Sequence, residues 1–264
     1  MEVIVSPNTD EIGSIAADYI EALVARKPAA VLGVATGSSP LTTYKELARR
    51  VREGRMSLSK ASAFMLDEYV GLPADHPERY RTFIERHSVE PTDIDSARVH
   101  GPDGAATDME AACAHYVHLI SEAGGVDLQI LGVGTDGHIA FNEPGSSLAS
   151  RTRLKSLMKQ TRADNARFFD DDITQVPYHC VTQGVGTILE ARHLVLVASG
   201  AGKAEAIRGV VEGPVTSLCT GSALQLHPKA TVIIDEEAAS LLQYRSYYQF
   251  AYENKPGWQR PLGS

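Results

Sequence analysis

The sequence predicts an α/β fold in which helices cover both faces of a mostly parallel sheet. Strand-like apolar runs occur at 2–5, 29–35, 62–66, 126–133, 193–198 and 230–234, and helical patterns separate most of them. Strands that alternate with helices are joined by crossovers and lie parallel. Because no repeat, low-complexity tract or linker interrupts the pattern, residues 1–264 are predicted to form a single domain.

The helices are predicted from apolar residues at helical spacing. The first covers residues 12–24, and Asn8 and Glu11 are placed as its capping box. The second opens at Ser39-Pro40, where proline suits the first helical position. Further helices are expected near 108–123, 202–212 and 236–245.

Composition narrows the function classes. With 25 basic and 33 acidic residues the formal net charge is −8, which argues against nucleic acid or a membrane surface as the partner. No apolar run approaches the roughly 20 residues of a membrane span, and the N-terminus does not read as a secretion signal. The three cysteines, Cys113, Cys180 and Cys219, are expected to be reduced, and the expected location is the cytoplasm.

A glycine-punctuated run from Gly132 to Pro144 follows the apolar segment from Val126 to Leu131, which is predicted to be a buried strand. Asp136, His138 and Glu143 fall within eight residues there, so their side chains can converge as a proton relay in which an acid orients the imidazole. A structural histidine is the ordinary alternative. Asp-x-His also supplies two metal ligands, but no HExxH spacing or nearby cysteine supports a metal site, so none is expected.

Asp67 and Glu68 come directly after the buried strand at 62–66. A carboxylate at a partly desolvated strand end tends to have a raised pKa and can act as a base. Strand alternation sends the two side chains to opposite faces, and Asp67 is the one predicted to face inward. The alternative is that one of the pair caps the following turn.

Two strand-to-helix turns carry the features of anion sites. Thr36, Gly37, Ser38 and Ser39 offer hydroxyls and backbone N–H groups at a helix amino terminus. Ser199–Lys203 repeats the arrangement, with Lys203 as a candidate phosphate partner. Basic runs at 151–155 and 162–167 are either solvated faces or further anion sites, and the tyrosine-rich tail from 244 to 258 reads as packing or interface material.

The candidate segments share a place in the predicted fold. Residues 36–40, 67–68, 132–144 and 199–203 each follow a strand. Open parallel sheets bind ligands at the carboxyl ends of their strands. The four segments are therefore expected to line one site.

Several motifs in order resemble the glucosamine-6-phosphate deaminase family over nearly the whole chain. They are TGSSPLTTYKEL from Thr36, LDEYVGLPADHPERY from Leu66, VGTDGHIAFNEPGSSLASRTRLK from Val133, NARFF from Asn165 and LQLHPKA from Leu224. The resemblance implies a Rossmann-like three-layer α/β sandwich. It also implies aldose–ketose isomerisation of glucosamine 6-phosphate to fructose 6-phosphate with loss of ammonia, in amino sugar catabolism and without a cofactor.

The resemblance also implies roles for individual residues. Asp67 would abstract the C2 proton, and His138 would help open the sugar ring with Asp136 and Glu143 on either side. Phosphate binding would fall to Thr36, Gly37, Ser38 and Ser39, to Arg167 and to Lys203. A homo-oligomer, with a hexamer suspected, and activation by N-acetylglucosamine 6-phosphate at Ser146, Arg153 and Lys155 are further expectations.

The chain departs from the family pattern in places. Ser38-Ser39 stand where Gly-Thr is frequent, Arg79 replaces a usual serine, and Thr135 replaces an asparagine. The amino terminus and the tail after Ala238 match poorly, which bears on the expected activation because family regulation uses both regions.

Two alternatives remain open. A 6-phosphogluconolactonase shares the implied fold, but its loop would read nearer DGHTASLFP than DGHIAFNEP, and lactone hydrolysis needs no C2 base. A sugar-phosphate sensor of a transcription regulator would carry a DNA-binding helix-turn-helix, whereas residues 1–28 offer one helix.

Overall fold

The computed structural model describes residues 1–260, in which ten strands form two sheets. The strands are β1 (Glu2–Ser6), β2 (Val31–Val34), β3 (Ser62–Met65), β4 (Asp67–Tyr69), β5 (Val99–His100), β6 (Leu128–Leu131), β7 (Arg153–Ser156), β8 (His179–Thr182), β9 (Leu194–Ala198) and β10 (Ala230–Asp235). Seven make a parallel sheet in the order β1-β10-β9-β6-β2-β3-β5. The six strands predicted from apolar runs all belong to it.

Helices lie on both sides of this sheet, so the predicted α/β sandwich is confirmed. They are α1 (Thr9–Arg26), α2 (Leu41–Arg52), α3 (Tyr80–Ile84), α4 (Met109–Glu122), α5 (Lys159–Asn165), α6 (Val185–Ile188), α7 (Ala204–Val211) and α8 (Arg245–Glu253). The Asn8 side chain caps α1 by accepting from the Glu11 N–H. Pro40, predicted to take the first helical position of α2, is instead its N-cap, and the helix begins one residue later at Leu41.

The predicted helix at 236–245 is wrong. The chain makes successive turns there and becomes helical only at Arg245. The Asp235 carboxylate accepts from the N–H groups of Gly200 and Ala238, and the Glu212 carboxylate accepts from those of Gln243 and Tyr244. These side-chain acceptors replace the carbonyls that a continuous helix would use.

A second, three-stranded antiparallel sheet in the order β4-β8-β7 was not predicted. Asp67 of β4 and Arg153 of β7 both stand opposite Thr182 of β8. A small apolar cluster that includes Tyr69, Phe141 and Phe169 accompanies this sheet. It is separate from the main core, which is built on the parallel strands.

The cysteines and the helices of residues 1–260 bear on two expectations, reduced thiols and no membrane span. All three cysteines are free thiols; Cys113 and Cys180 are buried and Cys219 is half-buried. Among these residues, none of the helices combines the length and apolar character that crossing a bilayer requires.

Candidate active site

A cavity of about 700 Å³ opens at the carboxyl edge of the parallel sheet. Its walls include residues from all four segments singled out in the sequence: Thr36–Ser39 after β2, Asp67 after β3, Gly132–Thr135 and His138 after β6, and Ser199 with Gly202 and Lys203 after β9. Because the strand order β9-β6-β2-β3 places these strands side by side, their carboxyl ends contribute to one cleft. The volume is in the range of small-molecule sites.

Asp67 lines this cavity although only 5% of its surface is exposed. Leu66 separates it from β3, and Asp67 then opens β4. Burial, and secondly the charge of Glu68, raise the pKa of Asp67 to about 8. A carboxylate with so high a pKa is a much stronger base than an ordinary aspartate.

Glu68 does not line the cavity, as strand alternation predicts. Its carboxylate accepts hydrogen bonds from the N–H groups of Tyr80 and Arg81 at the start of α3, at 2.9 and 3.0 Å. Of the two predicted roles for this acidic pair, an inward-facing base and a capping residue, each is taken by one residue. Asp67 faces the cavity, and Glu68 caps the following element.

His138 lies between two carboxylates. Its Nδ1 is 2.6 Å from Asp136 Oδ1 and 3.9 Å from Glu143 Oε2. A carboxylate at Nδ1 favours the tautomer that carries its proton there, which leaves Nε2 free to accept one. Burial opposes ionisation of Asp136, but hydrogen bonds from His138 outweigh it and hold the pKa of Asp136 below its ordinary value.

Glu143 is buried behind the imidazole. Its Oε1 accepts from the Met158 N–H at 3.1 Å, whereas Oε2 is buried and has no hydrogen-bond partner among residues 1–260. One oxygen of this carboxylate is thus available to the imidazole when the ring becomes charged.

Two glycines of the loop are required by close contacts. A Cβ built on Gly134 would lie 2.3 Å from His138 Cε1, so the imidazole packs directly against the backbone there. Gly137 has a φ of +86°, and a Cβ on it would lie 2.4 Å from the Cys219 sulfur. Any side chain at position 134 would displace the imidazole.

Within residues 1–260, the same three side chains form a group that could also bind a cation. One ligand atom from each of Asp136, His138 and Glu143 lies within 4.8 Å of the others. A divalent cation there would occupy the lone pairs that a proton relay uses, so the two roles compete. The expectation of a metal-independent site stays a prediction.

Cationic and polar groups of three elements lie around another part of the cavity. Ser38 and Ser39 precede α2, Lys203 precedes α7, and Arg167 follows α5. Lys203 Nζ donates to the Val133 carbonyl at 2.7 Å. Burial, followed by the charge of Arg167, lowers the pKa of Lys203. An anion bound between the two cations would relieve their mutual repulsion.

The two basic runs at 151–155 and 162–167 contain arginines with structural or surface contacts and one arginine that lines the cavity. Arg162 is buried, donates to the carbonyls of Ile173 and Val176, and lies 3.7 Å from the centre of the Tyr178 ring. Arg151 pairs with Glu190 on the surface. Of the arginines in these runs, Arg167 is the one that lines the cavity.

Ser146, Arg153 and Lys155 do not line this cavity. Arg153 and Lys155 alternate on β7 and therefore share one of its faces, and Arg153 donates to Asn142 Oδ1 at 2.9 Å. Ser146 Oγ is buried and has no hydrogen-bond partner among residues 1–260. Arg153 therefore contacts the loop that carries His138 from outside the cavity.

One wall of the cavity was missed in the sequence. It consists of Glu78, Tyr80 and Phe83 from the α3 region and Gln160, Thr161, Asp164, Asn165, Phe168 and Phe169 from the α5 region. The NARFF motif contains Asn165, Phe168 and Phe169, but a role was assigned only to its arginine. The motif LDEYVGLPADHPERY contains Glu78 and Tyr80, to which no role was assigned.

Comparison with known proteins identifies the family. The model of the family described as glucosamine-6-phosphate isomerases/6-phosphogluconolactonase matches residues 9–234. The chain is 60% identical over 259 residues to a protein of Mycolicibacterium smegmatis named glucosamine-6-phosphate deaminase, covering 98% of this chain and 99% of the relative. A protein of the same name from Streptomyces coelicolor is 57% identical with the same coverage.

Solved structures agree with this assignment. A monomeric glucosamine-6-phosphate deaminase superposes with a TM-score of 0.89 at 41% identity, covering 91% of this chain and all of the other. A 6-phosphogluconolactonase from Trypanosoma cruzi gives 0.72 at 22% identity, covering 92% and 97%, and shares the fold. By sequence and by structure, the chain belongs to the glucosamine-6-phosphate isomerase/6-phosphogluconolactonase family.

Proposed function

We propose that the chain is a glucosamine-6-phosphate deaminase, which converts glucosamine 6-phosphate and water to fructose 6-phosphate and ammonia in amino sugar catabolism. The observation that carries this proposal is that a buried base, a histidine between two acids and two cations line one cavity. The similarity to the deaminases of M. smegmatis and S. coelicolor supports it. A 6-phosphogluconolactonase would leave Asp67 without a role.

The reaction begins with opening of the pyranose ring. His138 Nε2 takes the proton of the anomeric hydroxyl and returns it to the ring oxygen, which frees a carbonyl at C1. Asp136 and Glu143 stabilise the imidazolium that forms in between. No metal or organic cofactor enters this step.

The C1 carbonyl then acidifies the hydrogen on C2. Asp67 takes that proton, the C2–H electrons form a C1=C2 double bond, and the carbonyl oxygen gains a proton to give an enolamine. Return of the proton to C1 lets the nitrogen lone pair form a C=N bond at C2, and the N–H proton that is released balances the one taken up by the carbonyl oxygen. Water adds to this imine, and ammonia leaves as the C2 carbonyl of fructose 6-phosphate forms.

The phosphate is held by Arg167, Lys203 and the residues from Thr36 to Ser39. A helix amino terminus and two side-chain cations suit a dianion. Residues 1–264 act as one domain, and the compartment we propose is the cytoplasm, with which three free thiols are compatible.

The direct test is ammonia release from glucosamine 6-phosphate by purified, metal-stripped protein. A coupled assay with 6-phosphogluconolactone runs in parallel. Ammonia formed without added metal supports the proposal. Hydrolysis of the lactone without release of ammonia from glucosamine 6-phosphate would assign the chain to the other activity of the family.

Replacing Lys203 by Ala should mainly raise KM for glucosamine 6-phosphate. Loss of a charge-assisted hydrogen bond costs about 1.5–3 kcal/mol, or roughly 10- to 150-fold in affinity. The matched control is Arg208→Ala on α7, whose guanidinium pairs with Glu205 on the surface. An unchanged KM in Lys203→Ala would place the phosphate elsewhere.

We also propose a homo-oligomer, with a hexamer as the arrangement to test. Tyr244, Tyr247, Phe250 and Trp258 are exposed around α8 and offer apolar area for contact with another copy. Light scattering coupled to size exclusion measures the assembly directly. A monomer, like the solved deaminase that is 41% identical, would contradict this proposal and leave the catalytic one intact.

N-acetylglucosamine 6-phosphate should activate the enzyme through Ser146, Arg153 and Lys155. Two basic side chains on one face of β7 and a buried hydroxyl without a partner among residues 1–260 offer donors to a phosphate. The expected result is a higher rate at subsaturating substrate, lost in the double variant Arg153→Ala/Lys155→Ala. A substrate–velocity curve that the ligand leaves unchanged would contradict it.

A further inference from the structure

We propose that Glu68 and Arg79 form a positioning pair for Asp67, in which the Glu68 carboxylate strengthens the base and Arg79 moderates that effect. The pair does not touch the substrate. The proposal rests on the proposed function only through the role of Asp67 as the base.

Glu68 is fixed more firmly than a capping role alone requires. Only 1% of its surface is exposed. Its Oε1 accepts from the N–H groups of Tyr69 and Tyr80, both at 2.9 Å, and its Oε2 accepts from that of Arg81 at 3.0 Å. Three backbone donors from two segments therefore hold the Glu68 carboxylate in place, on the residue next to the proposed base.

Arg79 supplies the side-chain cation next to Glu68. Its Nε lies 3.7 Å from Glu68 Oε2, and its Nη1 donates to the Ala74 carbonyl at 3.0 Å. Its side chain is 20% exposed, so its charge is only partly screened by water. This arginine replaces the serine usual in the family motif, which gives the departure noted in the sequence a physical role.

The other titratable groups that interact electrostatically with Asp67 are neutral at physiological pH. Burial raises the pKa of each of them: the phenols of Tyr69, Tyr80 and Tyr116, and the thiol of Cys180. These groups come from β4, α3, α4 and β8. Glu68 is therefore the neighbouring charge that raises the pKa of Asp67, and Arg79 is the cation that lies against Glu68.

The charges of the pair act on Asp67 in opposite directions. A carboxylate next to a second carboxylate holds its proton more tightly, and a cation beside the second one weakens that effect. The pair therefore predicts shifts of opposite sign for its two members. Damage to the fold alone predicts no such pattern.

Glu68 also fixes part of the cavity wall. Its hydrogen bonds anchor the first turn of α3, where the Tyr80 ring stacks on Phe141 with a centroid distance of 5.7 Å and an interplanar angle of 14°. Both rings line the cavity. Loss of Glu68 should therefore affect substrate binding as well as the pH profile.

The test is the pH dependence of kcat/KM for Glu68→Gln and Arg79→Gln. The acid limb reports ionisation of the base in the free enzyme. We expect the acid limb of Glu68→Gln to move to lower pH by about one unit. The acid limb of Arg79→Gln should move to higher pH by about half a unit, a smaller shift because Arg79 is partly exposed. Glu110→Gln and Arg98→Gln remove the same charges at exposed positions and should leave the limb in place.

Direct titration of the Asp67 carboxyl tests the pair without a measurement of turnover. The ¹³C carboxyl resonance of Asp67, identified by its loss in Asp67→Asn, should titrate at higher pH in Arg79→Gln than in the unchanged protein, and Arg79→Lys should restore the original value. This comparison remains decisive if Glu68→Gln does not fold. Limbs that stay in place, or that move in the same direction in both variants, would overturn the pair.

Failure of the mechanism and failure of the pair give different results. If Asp67→Asn retains activity, Asp67 is not the base and the proposed mechanism falls. If Asp67→Asn is inactive but neither Glu68→Gln nor Arg79→Gln moves the titration, the mechanism stands and the pair is overturned.

Discussion

Replacement of Asp67 by Asn is expected to reduce kcat for ammonia release by about 10³-fold, within the range that a positioned base supplies. Asparagine has nearly the same shape but cannot take the C2 proton. Asp67 is buried in the cavity wall, and of the two acids that follow β3 it is the one that lines the cavity. The measurement is kcat near pH 8, where a carboxyl with a pKa of about 8 is half ionised.

Binding must be measured in the same variant. Calorimetric titration with glucosamine 6-phosphate should give a Kd close to the KM of the unchanged protein, because the phosphate-binding residues remain. Asp10→Asn, at an exposed position in the first turn of α1, is the matched control. More than a tenth of the original activity in Asp67→Asn would rule out its role as the base.

The same variant should be more stable than the unchanged protein at alkaline pH. Below about pH 4 the Asp67 carboxyl is protonated in both the folded and the unfolded chain, since its ordinary pKa is near 3.9. Between there and its folded pKa of about 8, the unfolded chain releases a proton that the folded chain keeps. The free energy of unfolding therefore falls as the pH rises through this window.

Asparagine removes that penalty. The Tm values of the two proteins should agree near pH 4 and differ most at pH 8 and above, with Asp67→Asn the higher. Equal Tm values at pH 8 would mean that the folded carboxylate carries no cost of burial.

His138→Gln is expected to lower kcat by about 10²-fold or more. Glutamine can occupy a similar volume but cannot carry a proton from one oxygen to another. The 2.6 Å contact with Asp136 and the packing against Gly134 show that the ring is held in one orientation. Ring opening should consequently become the slowest step.

An isotope effect identifies which step has slowed. Substrate deuterated at C2 should react more slowly than the protiated form wherever removal of that hydrogen limits the rate. Ring opening breaks no C2–H bond, so the effect should shrink in His138→Gln. His118→Gln, exposed on α4 beside Glu122, is the control. A normal kcat, or an undiminished isotope effect, would remove His138 from ring opening.

The main sheet was predictable because its signal is local. Buried parallel strands read as continuous apolar runs, and all six such runs are strands of the seven-stranded sheet. The carboxyl-edge rule then placed Ser38, Asp67, His138 and Lys203 around one cleft, and they do line one cavity. Alternation along a strand was enough to separate the orientation of Asp67 from that of Glu68.

The remaining features depend on contacts distant in sequence. Strand β7 reads Arg-Leu-Lys-Ser and has no apolar run, so it becomes a strand only by pairing with β8. The turns at 236–244 depend on acceptors from Asp235 and from Glu212 on another segment. Tyr80 reaches the cavity because Glu68 anchors α3, which no periodicity in the sequence records.

The register of β4 has a consequence for variation in chain length. This strand has three residues, and Asp67, Glu68 and Tyr69 face Thr182, Val181 and Cys180 in turn. One residue gained or lost between Met65 and Asp67 would exchange the faces of the two acids, with glutamate toward the sugar and aspartate toward α3. An insertion or deletion at this junction would therefore exchange the base for its neighbour in a single event.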